Sequence, residues 1–234
     1  MSTTGSRALT LRTRRSLGAV LWVLALAGSA GLGLLAAGCG SHAATSQASA
    51  RATARPSVAP PPGWRALGTA EFGLALPRSF KGGDLVNDRQ VVLNTLRSLG
   101  AAFGPYADEL EQNPSAFAFL AVDVGRGPAR AATVDVVRQQ VLAAVTIDAY
   151  VQNAFASLPP GFSWVVGTVV QMGPYVAERI VLRGVVTKRA FKELIFVTKV
   201  GNTMYTLNFS TTAREFAARL PAFEKSAASF RVYP

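Results

Sequence analysis

The chain has 234 residues, of which 50% are hydrophobic and 16% charged, and a formal net charge of +11. A single cysteine, Cys39, excludes an intrachain disulfide and any zinc site built on two or four cysteines. His42 is the only histidine, so residues 63–234 hold neither residue type, which removes His-based triads, Cys–His pairs and the commonest metal ligands.

The charge is unevenly spread. Residues 1–62 carry six arginines and no acid, whereas residues 63–234 carry 18 basic and 13 acidic side chains, a net of +5. Most of the basic excess therefore belongs to the leading segment, which argues against a nucleic-acid-binding domain. Arg12, Arg14 and Arg15 end a polar, basic stretch, and Leu17 to Gly38 is an uncharged run rich in Leu, Val and Ala. Small residues close that run at Ala36-Ala37-Gly38, and Cys39 follows at once. This is the pattern of an export signal. Its end resembles a bacterial lipobox, with the cysteine as the site of diacylglycerol transfer and the leader (1–38) cut before it. The alternative is an uncleaved membrane-spanning helix, because 22 apolar residues are long enough to cross a bilayer. Five glycines in that run and the placement of the cysteine favour lipidation. Both readings put the rest of the chain outside the cytoplasm, since the arginines stay inside. Arg14-Arg15 also resembles a twin-arginine export motif, although Gly18 stands where an apolar residue is expected. The general and twin-arginine routes both stay open.

Residues 39–62 combine the modified cysteine with an Ala/Ser/Thr/Pro-rich stretch ending Pro60-Pro61-Pro62. Such a composition cannot bury enough surface to offset the entropy of ordering, so it reads as a disordered tether with a stiff polyproline end. His42 lies on this tether and reads as a solvated residue.

Residues 63–234 suffice for one domain with a sizeable core. Glu71 to Pro77 places Phe72, Leu74 and Leu76 on one face of a strand. Residues 90–111 read as helix, interrupted near Gly100 and Gly104-Pro105. Ser115 to Val124 reads as a strand with Phe117 and Phe119 on one face and Leu120, Val122 and Val124 on the other, so that both faces need cover. Thr133 to Arg138 fits a returning strand, although residues 133–145 also carry a helical pattern. Thr146 is the expected N-cap of a helix over Ile147–Leu158, with Asp148 in its first turn. Phe162–Gln171, Tyr175–Val185, Phe191–Val200 and Thr203–Ser210 read as strands.

Gly201-Asn202 is a two-residue hairpin turn. It opposes residues whose numbers sum to 403 and aligns Leu194, Phe196, Leu207 and Phe209 on one face, with Thr198 facing Tyr205. Thr212 and Glu215 have capping-box spacing before a helix with Phe216, Leu220, Phe223 and Ala227 on its apolar stripe. Pro221 should kink or restart that helix, and Ser229–Val232 closes as a short strand. Antiparallel hairpins covered by a few helices make an α+β domain.

The strand-proline opening Phe72–Pro77, the segment Thr133–Arg138 followed by Thr146–Val151, and the closing block Tyr205–Ser210 with Phe216, Leu220, Pro221, Phe223 and Ser229–Val232 together resemble the LpqN-type lipoproteins of actinobacteria. These share the PsbP-like fold with photosystem extrinsic proteins and a yeast Ran-binding import factor. The resemblance spans about residues 72–232 and implies an antiparallel sheet flanked by helices, no cofactor, no catalytic residues, and a role as an envelope binding or accessory protein. Residues 84–114 match nothing in it.

No phosphate-binding loop, nucleophile elbow or metal-ligand spacing appears. Asp108, Glu109 and Glu111 cluster on one helix, where adjacent carboxylates usually form a solvated face. Arg179, Arg183, Lys188, Arg189 and Lys192, with Lys199 beyond them, gather on two adjacent strands. They read either as a docking patch for an anionic lipid, polymer or protein, or as ordinary solvated strand ends. Trp164, Tyr175 and Tyr205 suit core packing better than a pocket. The sequence thus points to a lipid-anchored lipoprotein on the outer face of the cytoplasmic membrane. Its expected role is non-enzymatic, as a binding or accessory module for an envelope protein or lipid. The alternatives are a carrier with an internal apolar cavity and, more remotely, an envelope hydrolase. Neither a metal, a cofactor nor nucleic acid is expected.

Overall fold

The computed structural model describes residues 59–98, 104–112, 117–123, 130–156, 161–186 and 189–234, together with residues 125, 127 and 158. Cys39, Arg14, Arg15, His42 and the tether up to residue 58 lie outside the described residues.

The elements in chain order are β1 (Trp64–Gly68), β2 (Phe72–Pro77), β3 (Phe80–Asp84), α1 (Arg89–Ser98), α2 (Gly104–Gln112), β4 (Phe119–Asp123) and β5 (Ala132–Gln140). Then follow α3 (Ile147–Phe155), β6 (Phe162–Met172), β7 (Tyr175–Val186), β8 (Arg189–Val200), β9 (Thr203–Thr212), α4 (Phe216–Ala228) and β10 (Arg231–Val232). Every pairing is antiparallel. A small sheet runs β1-β2-β10 and a large one β3-β4-β5-β9-β8-β7-β6. The fold is α+β, as the sequence pattern indicates.

The β8–β9 hairpin carries the register expected from its turn. Gly201 adopts φ 59°, a left-handed conformation in which a side chain would be strained. Leu194 faces Phe209, Phe196 faces Leu207 and Thr198 faces Tyr205. The Thr198 hydroxyl, buried on this face, donates to the Val176 carbonyl at 2.7 Å. Residues 132–140 form a strand, because Val134 and Val136 find partners in Phe209 and Leu207 of β9. Non-local pairing decides the helix–strand ambiguity of that segment.

Alternation sorts the large sheet into two apolar faces. The first is covered by α4 and the small sheet. Its core holds Phe72, Phe119, Val134, Leu194, Phe196, Leu207, Phe209, Phe223 and Phe230. Phe72 lies 6.4 Å from Phe119, 6.0 Å from Tyr205 and 5.5 Å from Phe230, ring centre to ring centre. Tyr175 joins this core 6.0 Å from Phe230 and accepts a bond from the Val232 N–H at 2.8 Å, fastening β10. The second face has two covers. Helices α1 and α2 bring Val92, Leu93, Leu96, Ala107 and Leu110 onto Leu120 and Val122. Helix α3 brings Val151, Ala154 and Phe155 onto Ile180, Leu182, Ile195 and Val197, and Trp164 stacks 5.0 Å from Phe155. Thr146 caps α3 as expected, its hydroxyl accepting the Ala149 N–H at 3.1 Å.

Four features differ from the sequence expectation. β1 and β3 are strands that the apolar pattern did not mark. Phe117 precedes β4, so strand alternation does not reach it. Its ring packs with Leu120 and Val122 rather than with Phe119. Thr212 is not a helix cap, because it pairs with Phe191 and prolongs β9. Glu215 takes the N-cap position without a side-chain cap bond, and its carboxylate lies 3.6 Å from Arg130. Helix α4 runs unbroken through Pro221, which sits on its exposed side, where bending is tolerated.

Arg219 secures α4 to the sheet by donating to Asp123 Oδ2 at 2.7 Å and to the Arg130 carbonyl at 2.9 Å. Burial pushes the Asp123 carboxyl up, but the bonds from Arg219 and the Gly125 N–H outweigh it and hold the group below its ordinary value. Phe209 is fully buried between Phe196 and Phe223. Phe209→Ala is expected to cost about 3–5 kcal/mol of stability, as a lower urea midpoint with an unchanged slope.

Candidate functional site

The strand register fixes where the basic side chains go. Arg183 of β7 stands directly opposite Lys192 of β8, and both share the face that α4 partly covers. Val181, opposite Leu194, lies on the same face, as does the exposed Val185 beside them. Arg179 is on this face too, but donates to Glu224 of α4 at 3.0 Å. Arg189 shares the other face with Phe191 and Ile195, so alternation divides the expected patch between the two sides of the sheet. Lys188 lies outside the described residues.

Arg183 donates to the Ser163 hydroxyl of β6 at 3.0 Å, and the Lys192 ammonium lies 5.6 Å from the Phe216 ring centre. Lys199 is no part of a docking surface. Its ammonium donates to the carbonyls of Ala143 at 2.6 Å and Val145 at 2.7 Å, holding the loop before α3.

The acidic group on α2 is bound up internally. Arg97 of α1 donates to Asp108 at 2.9 Å and to Glu111 at 2.6 Å, clamping the two helices together. The side chain of Glu109 lies outside the described set. Trp164, Tyr175 and Tyr205 are core packing residues. Among the described residues no three His, Cys, Asp or Glu side chains are grouped as a metal would require. None of their helices is long and apolar enough to cross a membrane.

A cleft of about 390 Å³ opens between the β1–β2 turn, the β3–α1 turn and β5. Its walls include Glu71, Asp84, Arg89, Phe117 and Arg138. Glu71 is paired with Arg138. Asp84 accepts three bonds, from the Val86 and Asn87 N–H groups at 2.7 and 3.1 Å and from the Asn87 amide at 2.8 Å. The cleft is therefore open and of mixed lining, with paired or hydrogen-bonded charged groups beside apolar ones, unlike the closed apolar cavity of a carrier. The space between α4 and the sheet is occupied by aromatic rings.

The most unusual chemistry is one the sequence did not flag. Asp135 and Glu193 are 0% and 3% exposed, on the second face of the sheet, and among the described residues no ion pair reaches them. Asn208, opposite Asp135 in the β5–β9 ladder, donates its amide to Asp135 Oδ2 at 2.6 Å. Asp135 Oδ1, Asn208 Oδ1 and Glu193 Oε2 have no hydrogen-bond partner. Burial pushes the Asp135 carboxyl up to about 7, against the opposing pull of the Asn208 bond. Burial, and after it the Asp135 charge, raises Glu193 well above the usual carboxylate range. Glu178 on β7 is raised too, by burial and then by Asp148 of α3. Gly167 of β6 leaves room for it, since a Cβ there would collide with the Glu178 carboxylate. A strand pattern shows only that these acids alternate with apolar residues. That helices would cover their face was not legible from it.

No protein-family model and no curated protein matches the chain. Solved structures of similar outline include LpqN of Mycobacterium tuberculosis, described as involved in cell envelope biogenesis. It is 11% identical, with 73% of this chain and 91% of that one covered and a TM-score of 0.49. The PsbP protein of Synechocystis (CyanoP) is 14% identical, with 73% and 93% covered and a TM-score of 0.46. The yeast Ran-binding protein Mog1p is 9% identical, with 72% and 95% covered and a TM-score of 0.38. None of these likenesses assigns a role to any residue here.

Lys199→Ala is expected to lower stability by about 0.5–1.5 kcal/mol, because the loop carbonyls of Ala143 and Val145 lose their donor. Thermal unfolding checks this, with any membrane association of the folded chain left unchanged.

Proposed function

We propose that this chain is an exported envelope lipoprotein. Diacylglycerol on Cys39 holds it at the outer face of the cytoplasmic membrane, and its folded part is a non-enzymatic docking module for the anionic lipid surface to which it is tethered. The observation that carries this reading is the Arg183–Lys192 pair. Like charges directly opposed across two strands repel. The neighbouring residues on that face, Ser163, Val165, Val181, Val185 and Ala190, include no acid to relieve them. Val165 and Val185 are 55% and 56% exposed. Basic groups beside exposed aliphatic side chains suit a headgroup layer, where each Lys or Arg near the surface contributes about 1 kcal/mol.

The openness of the cleft and the aromatic filling beneath α4 favour docking over carriage of an apolar ligand. The buried Asp135 and Glu193 are closed off from the surface and so from any substrate, which favours a non-catalytic role.

Two measurements test the reading. Cys39→Ser is expected to move the chain out of the detergent phase on partitioning; unchanged acylation and partitioning would end the anchor proposal. The anchored chain in phosphatidylglycerol vesicles should show weaker hydroxyl-radical labelling at Val165 and Val185 than in phosphatidylcholine vesicles. High salt, or the double change Arg183→Glu with Lys192→Glu, should abolish the difference. Equal labelling in both lipids would refute docking through this face.

A further inference from the structure

The acids of the second face raise a question that the docking surface does not answer: what satisfies the polar atoms around Asp135? The Asp135 carboxyl and the Asn208 amide are planar groups joined by one bond, Asn208 Nδ2 to Asp135 Oδ2 at 2.6 Å. The remaining oxygen on each, Oδ1, is buried and without a partner. Two acceptor oxygens cannot bond to each other. One proton on Asp135 Oδ1 would resolve both at once, by donating to Asn208 Oδ1 and closing a ring of two hydrogen bonds. A divalent cation is a poorer solution. It needs about six or more oxygens, whereas Asp135, Asn208 and Glu193 offer three that are free.

We infer that Asp135 and Asn208 form a proton-dependent acid–amide ring, and that the second face of the sheet around them is a pH-sensitive element, packed while Asp135 and Glu193 hold protons and loosened when alkaline conditions remove them.

The surroundings offer no compensating charge. On this face β7 contributes Glu178, β8 contributes Glu193 and Lys199, and α3 contributes Asp148 and Tyr150. The Lys199 ammonium is engaged by loop carbonyls, and the Tyr150 hydroxyl donates to Gln139 Oε1 of β5 at 3.1 Å. β9 adds only the neutral Thr206, Asn208 and Ser210, and the facing residues of β4 and β6 carry no charge. Lys81 of β3 and Arg189 of β8 lie exposed at the margins. Arg97, Asp108 and Glu111 of α1 and α2 are exposed and paired among themselves. A negative charge created at Asp135 or Glu193 therefore meets further acids and apolar side chains. It is stabilised only if the helical cover loosens and water enters.

The sign follows from linkage. An acid whose folded value is raised binds more protons folded than unfolded. Its contribution is complete below the unfolded value and lost as pH rises through the folded one. With Asp135 near 7 when folded and near 4 when unfolded, the folding constant should fall about tenfold per pH unit across that window. Glu193 extends the loss to higher pH.

The experiment uses the full chain in detergent, with hydrogen exchange and urea unfolding followed from pH 5 to 9. The wild-type chain should lose stability as pH rises, with amides of the helices over the second face losing protection before those of α4 on the first. Asp135→Asn supplies permanently the N–H that the proton supplies reversibly. It should fold, be at least tenfold more stable than wild type at pH 8, and show a shallower pH slope; adding Glu193→Gln should flatten the curve further. An infrared band of protonated carboxyl groups at neutral pH, weakened in Asp135→Asn and lost when Glu193→Gln is added, gives a readout independent of stability. A wild-type chain equally stable across the range, an Asp135→Asn chain less stable at pH 8, or the absence of that band would each overturn the inference.

Discussion

The register of the β8–β9 hairpin is the constraint on which the other contacts depend. These strands lie near the middle of a seven-stranded sheet with both faces covered. A slip of one residue would exchange the aliphatic and aromatic set of the first face for Glu193, Thr206 and Asn208 of the second. The main core would lose its centre, and charged groups would be thrust under α4. The two-residue turn at Gly201-Asn202 prevents this locally, and the apolar ladder prevents it globally. Because the two agree, β5 and β7 have one alignment available on either side, and α3 and α4 have prepared surfaces to cover.

The same alternation decides what a reader of the sequence can and cannot find. Strands β2, β6, β7, β8 and β9, the cap at Thr146 and the 403 register were legible because each rests on nearest-neighbour chemistry. Thr212 misled for a related reason. Its spacing to Glu215 satisfies a local rule, but pairing with Phe191 outcompetes it. β1 and β3 are short, and β3 contains two glycines and a lysine, so no period marks them. The acids at 135 and 193 read as solvent-facing positions of ordinary strands. Only the third dimension, which lays α1 and α2 over β4 and α3 over β7 and β8, converts them into buried groups. The basic cluster was legible as composition but not as a surface, since two residues adjacent in a list can project from opposite sides of a sheet.

The fold also shows how a basic domain distributes its charge. Arg219 joins α4 to Asp123, Arg97 joins α1 to α2, and Arg138 joins β5 to Glu71 beside β2. These cations act as cross-ties between layers, and the exposed pairs among them contribute little individually. The Arg183–Lys192 pair differs because it ties nothing together by an acid, which is why it, rather than net charge, carries the functional reading.

Strand β6 forms one outer margin of the large sheet, and its pairing with β7 shifts between Val165 and Thr168. Many copies of a domain fastened to one leaflet would meet side by side at high local density, each presenting an unpaired backbone rail. The interruption divides that rail into two shorter runs, and irregularities of this kind are among the devices by which sheet edges are kept from pairing with a neighbour.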